Sequence, residues 1–113
     1  LYIYRGRVHM ELKDFDAALA DFTIAVEIDD EIYDGFFDRG KAFMNMNEYG
    51  AAVDDFNTYI QHYPDSPEPY HWRAHAHYFN GDYAESWQDV KTCERLNGVV
   101  DEDFLVMLRK ETD

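Results

Sequence analysis

Apolar positions along this 113-residue chain recur at helical spacing, in short segments broken by polar turns. The clearest stretch is "GFFDRGKAFMNMNEYGAAVDDFNTYI", from Gly35 to Ile60. Phe36, Phe37, Gly40, Phe43 and Met44 share one helix face. After a turn at Met46-Asn47-Glu48, Ala52, Val53, Phe56 and Ile60 share another. The pattern predicts a pair of amphipathic helices packed through their apolar faces.

The same frame returns every 34 residues. Gly6, Gly40 and Ala74 form one series, and Ala18, Ala52 and Ser86 another. Larger residues step in the same way: Phe15, Tyr49, Tyr83; Phe22, Phe56, Val90; and Ala25, Tyr59, Cys93. Small residues at fixed slots on both helices predict close helix–helix approach in every unit. Pro64 closes the second unit. Ser66 is a candidate N-cap for the next helix, with Pro67 and Pro69 in its first turn. Gly98 is placed to cap the end of the third unit. Beyond it, "DEDFLVMLRKET" has acids at its start and Arg109 and Lys110 at its end, which favours one more helix. Phe104, Leu105 and Leu108 would cover the last unit as a lid. Trp87 falls in the slot of Leu19 and Val53 and is expected to pack beneath that lid. Arg5, Arg39 and Arg73 also step by 34, as do Asp21, Asp55 and Asp89. Their repetition predicts an interhelix ion pair in each unit.

Composition narrows the function classes. Ten Lys and Arg face 24 Asp and Glu, a formal net charge of −14. Such a charge repels phosphate backbones and anionic lipid, so neither nucleic acid nor a membrane surface is an expected partner. No apolar run approaches a membrane span. The single cysteine, Cys93, can form no intramolecular disulfide and reads as a small buried hydrophobe. No signal peptide is seen. The chain starts at Leu1, which reads as a piece of something longer, and the compartment stays open, with the cytoplasm as the guess.

Catalytic chemistry finds no support. Ser66 and Ser86 both have structural roles, and no nucleophile elbow or glycine-rich phosphate loop occurs. Asp54 and Asp55 point in different directions on a helix, and the acidic runs read as solvated faces. In "HWRAHAH", His71 and His75 share a helix face and could hold a metal ion, with Glu68 as a weak third ligand. A groove-lining or exposed pair is the simpler reading, and no metal or other cofactor is expected.

The stretches "RGKAFMNMNEYGAAVDDFNTYIQHYP" and "RGRVHMELKDFDAALADFTIAVEIDD" resemble the tetratricopeptide repeat, a 34-residue helix pair. The resemblance covers roughly residues 1–98. The third copy departs most, with Ala74 for glycine, Ser86 for alanine and Val90 for the aromatic; Asp30 stands where the family usually has proline. The resemblance implies an all-α α-solenoid, a right-handed superhelix of antiparallel helix pairs forming one domain over 1–113. Its repeats would span about 1–32, 33–66 and 67–100, with a capping helix at about 101–112. It also implies a concave groove lined by the first helix of each unit. The inward slots are Ile3, Arg7 and Met10; Asp34, Phe37, Asp38, Lys41, Met44 and Asn45; and Glu68, His71, Trp72, His75, Tyr78 and Phe79. About a third of them are expected to pack against neighbouring helices instead. Family members that grip chaperone tails use Lys, Asn, Asn, Lys and Arg in five slots. Here those slots hold Ile3, Arg7, Asp38, Glu68 and Trp72, which argues against that ligand. The expected function is a non-enzymatic protein–protein interaction module that takes a basic or apolar peptide segment or partner. Phe37, Trp72 and Tyr78 would anchor it, and Asp34, Asp38 and Glu68 would select basic character. The alternative is self-association by stacking at the uncapped N-terminal edge, giving a homo-oligomer.

Overall fold

A computed structural model describes residues 1–112 and holds seven helices. They are α1 (Tyr2–Glu11), α2 (Phe15–Ile28), α3 (Asp34–Asn45), α4 (Tyr49–His62), α5 (Pro67–Phe79), α6 (Tyr83–Arg95) and α7 (Glu102–Thr112). No strand occurs among the described residues. Helices pack in sequence order into an elongated all-α solenoid of 44 × 26 × 20 Å. The hairpins α1–α2, α3–α4 and α5–α6 stack one on the next, and α7 lies against α6 more loosely.

The helix turns share one geometry. Lys13, Asn47 and Gly81, spaced by 34, have φ of 59°, 61° and 85°. In each case the following N–H reaches the carbonyl five residues back: Asp14 to His9 at 2.9 Å, Glu48 to Phe43 at 2.9 Å, Asp82 to His77 at 2.8 Å. This left-handed closure satisfies carbonyls that the helix end would leave unpaired. The end of α6 corrects the expectation for Gly98. Asn97 takes the left-handed conformation there, at φ 68°, and Gly98 only donates to Cys93 O at 2.8 Å. Gly98 is needed for space, since a Cβ there would sit 2.6 Å from Cys93 Sγ and from the Pro67 Cβ. Ser66 precedes α5 without a side-chain capping bond, a second correction; Pro67 at the first position starts the helix through its fixed φ. Asp14 and Asp101 do cap α2 and α7, accepting from Ala17 N and Phe104 N.

The small-residue slots are where the hairpins close. A Cβ on Gly6 would sit 2.5 Å from the Phe22 ring, and one on Gly40 2.5 Å from the Phe56 ring. The third hairpin swaps both partners. Ala74 replaces glycine and the shorter Val90 replaces phenylalanine, and both are buried. Its departure from the pattern is thus a compensated pair. Ser86, also fully buried, donates to Ala74 O at 2.8 Å, so its hydroxyl is satisfied in the slot of Ala18 and Ala52. Cys93 is buried, and that burial, more than the nearby Glu94 and Asp89, pushes its thiol up. Phe104, Leu105 and Leu108 of α7 close the core over Tyr70, Val90 and Cys93, with Trp87 packed at its edge. The Trp87 indole N–H donates to Thr112 Oγ1 at 3.1 Å.

Candidate functional site

Arginines of the first helices sort into two sets. Arg5, Arg39 and Arg73 each grip the carboxylate across their own hairpin, Asp21, Asp55 and Asp89, through two hydrogen bonds of 2.7–2.9 Å. Those aspartates are buried, so the forked geometry satisfies charges that would otherwise be costly. These pairs tie the two helices of each hairpin together.

Between successive first helices, charge runs from helix to helix. Arg7 of α1 donates from Nε to Asp38 of α3 at 2.8 Å. Lys41 of α3 lies 3.6 Å from Glu68 of α5. The Lys41 ammonium also sits 4.2 Å from the Phe37 ring centroid and 5.4 Å from that of Trp72. Two of the groove slots are mostly covered, though both still border open space. Phe37 is buried against Phe56 and Tyr59, at centroid distances of 5.9 and 4.7 Å, because its slot faces α4. Asp38 is buried under Arg7; burial raises its carboxyl above the ordinary range, against the pull of Arg7. Asp38 is thus already paired and Glu68 is held beside Lys41, while Asp34 is exposed and makes no ion pair among the described residues.

The third unit differs because α7 reaches over it. Phe104 stacks on His75 at 3.9 Å and meets Tyr78 edge-on at 5.5 Å. Those two side chains are half-buried against it. The His71 and His75 rings are 4.5 Å apart, and His75 Nδ1 lies 2.9 Å from His71 O. Burial lowers the pKa of both imidazoles; His75 adds to the effect at His71, and Glu68 and Asp101 oppose it there. Among the described residues, no group of three or more His, Cys, Asp or Glu side chains converges on a metal position. Trp72 is half-buried beside Phe56, Met10 and Met44 are half-buried at the hairpin cores, and Asn45 donates to Lys41 O on the surface. Phe79 is exposed and stacks on Tyr49 at 5.3 Å, away from the other slots.

Open space remains beside α1 and α3. One recess of about 300 Å³ lies among Ile3, Tyr4, Arg7, Ile28, Ile32 and Asp34. A second of about 410 Å³ lies among Arg7, Met10, Phe37, Asp38, Lys41 and Asp34. They share Arg7 and Asp34. Tyr4, Ile28 and Ile32 were not assigned to the groove from sequence. Ile28 and Ile32 belong to the end of α2 and the loop after it, whereas the inward slots were taken from first helices alone. Apolar residues in a last turn with no partner inside the repeat would have been the signal.

Comparison with known proteins agrees with this geometry. Residues 1–32 match the family model described as Tetratricopeptide repeat. Sequence comparison with curated proteins finds no match. Among solved structures, the chain is similar to the first tetratricopeptide domain of Spaghetti (RPAP3) bound to the HSP90 peptide SRMEEVD. The TM-score is 0.87 at 17% identity, over 98% of this chain and 87% of that one. The Sgt2 tetratricopeptide domain from Aspergillus fumigatus gives 0.83 at 15% identity, covering 98% and 74%. MamA from AMB-1 gives 0.81 at 18% identity, covering 85% of this chain and only 57% of that one, less than two thirds of its length. At these identities the likeness is one of fold. The first hairpin thus matches the tetratricopeptide repeat model, and nearly the whole chain shares the fold of tetratricopeptide repeat domains.

Proposed function

We propose that the protein is a non-enzymatic interaction module that takes a peptide segment of a partner along the concave face of α1 and α3. The observation that carries this reading is the pair of adjoining recesses that share Arg7 and Asp34. Ile3, Tyr4, Ile28 and Ile32 supply apolar contact in the first, and Met10 and the Phe37 edge supply it in the second. Asp34 lines both recesses without an ion pair, so a lysine or arginine flanked by apolar residues is the ligand chemistry that suits them. The similar Spaghetti domain is bound to an acidic HSP90 peptide. Here Arg7 is engaged by Asp38 and Lys41 lies beside Glu68, which supports a different ligand.

A displayed random-peptide library tests the reading. Selection on the wild-type protein is expected to enrich a basic residue next to apolar ones, and Asp34→Lys is expected to lose or reverse that preference. Enrichment of acidic peptides, or the same peptides on both proteins, would overturn it.

A further inference from the structure

A third recess, of about 240 Å³, lies in the last hairpin. Pro67, Glu68 and His71 of α5 line it, with Cys93 of α6 and with Gly98 and Val99 of the loop before α7. Its position follows from two slots. His71 and Cys93 stand 34 residues after Phe37 and Tyr59. In the second hairpin those two rings close on each other at 4.7 Å, and Tyr59 also meets Tyr63 at 4.9 Å. In the first hairpin the same slots hold Ile3 and Ala25, and both line the first recess. A short residue on the second helix leaves the space that Tyr59 fills. Gly98 supplies one wall. A Cβ there would meet Cys93 Sγ and Pro67 Cβ at 2.6 Å, so the loop lies hard against both. Val99 stands 88% exposed beside the opening.

The polar groups of this recess have one sign. The Glu68 side chain is 60% exposed, and its nearest base, Lys41, lies 3.6 Å away, beyond a hydrogen bond. Burial lowers the pKa of His71, so its imidazole adds no positive charge at neutral pH. Lys41 itself lines the second recess. The second and third recesses therefore adjoin across Lys41 and Glu68, just as the first and second share Arg7 and Asp34. Apolar space beside a carboxylate thus occurs twice along one path, at Asp34 and at Glu68.

We propose that the third recess is a second anchor site for the same peptide segment, taking one apolar side chain next to a lysine or arginine that meets Glu68. The inference rests on the proposed function and deepens it, because the ligand then carries two basic–apolar elements. The first meets Asp34 and the second meets Glu68. No base falls between them, since that stretch crosses the Lys41 ammonium. Once the first element is seated, the second binds at a high effective concentration, so a segment with both outbinds a segment with either.

The displayed random-peptide library is the probe, selected in parallel on the wild-type protein, Asp34→Lys, Glu68→Lys and His71→Phe. Glu68 is exposed and His71 half-buried, so the circular dichroism of both variants should match the wild type. His71→Phe supplies the ring that Phe37 supplies in the second hairpin and fills the recess. Selection on the wild type is expected to enrich two basic–apolar elements separated by a stretch without lysine or arginine. Glu68→Lys and His71→Phe should each lose the second element and keep the first, and Asp34→Lys should do the converse. A synthetic copy of an enriched peptide should lose at least about tenfold in affinity when its second element is changed to alanine, and that loss should vanish on His71→Phe. A single element, lost on Asp34→Lys and indifferent to Glu68→Lys and His71→Phe, would overturn the second site and leave the proposed function standing. A single element lost only on Glu68→Lys and His71→Phe would make this recess the sole anchor and refute both the role of Asp34 and the paired ligand. No enrichment on any of the proteins would refute both readings together.

Discussion

At Gly40 the Phe56 ring leaves no room for a methyl group, and at Ala74 the shorter Val90 does. Residue identity at these two slots is therefore coupled. Gly40→Ala gains roughly 1 kcal/mol of helix propensity but overpacks the hairpin by about 1–3 kcal/mol, so a net loss is expected in chemical denaturation. Gly40→Ala/Phe56→Val should recover part of it, as the third hairpin does naturally. The converse pair is sharper. Val90→Phe alone should destabilise, and Ala74→Gly/Val90→Phe should lose less than the two single changes summed. Additive losses would show that the slots are independent. The left-handed turn residues make a different demand. Lys13 holds φ 59° with a side chain that disfavours it, so Lys13→Gly is expected to stabilise by about 1 kcal/mol. Gly81→Ala should do the reverse by a similar amount, since no atom crowds that position and only the backbone objects.

Helix pairs are held by the forked arginines, and the last pair is closed by α7. Arg39→Gln would strand the buried Asp55 and should cost about 3 kcal/mol, read from the urea midpoint. Arg5→Gln is expected to cost less, because its side chain is open to water. The α7 contact should be sensitive to acid. His71 and His75 have folded pKa values below the ordinary imidazole value because burial disfavours their charge. A depressed folded pKa means that the folded state favours the neutral ring. The stabilisation is complete above the unfolded pKa of about 6.5 and is lost as the pH falls through the lower folded value. The wild-type Tm should therefore fall further between pH 7.5 and 5.5 than that of His75→Phe, which keeps the stack on Phe104. An equal fall in both proteins would remove the imidazoles from the account.

Across the whole molecule, a charge of −14 on a 44 Å stack implies self-repulsion that the paired arginines only partly offset. Raising the ionic strength from about 0.01 M to 0.15 M shortens the screening length from about 30 to 8 Å, so the Tm should rise. A fall would mean that the ion pairs outweigh the repulsion. The same charge shapes binding. At long range it attracts positive charge, while Arg7 is paired with Asp38 and Lys41 lies beside Glu68. Under the proposed function, Asp34 is the acid left to meet a basic residue.

The helices, their pairing and the forked ion pairs were all legible in the chain. They follow from periodicity: apolar residues at helical spacing, small residues every 34, and arginine and aspartate in step with them. The left-handed turn residues were equally periodic but chemically dissimilar, so Lys13, Asn47 and Gly81 did not announce a common role. The groove was legible only as a set of slots. Which of them stay open depends on neighbours distant in sequence: Phe37 turns into α4, Asp38 is closed by Arg7, and His75 and Tyr78 lie under Phe104. Local patterning determines which face of a helix is apolar. Only the packed stack decides whether a slot on that face is filled, as by Phe37 and Tyr59, or borders open space, as at His71 and Cys93.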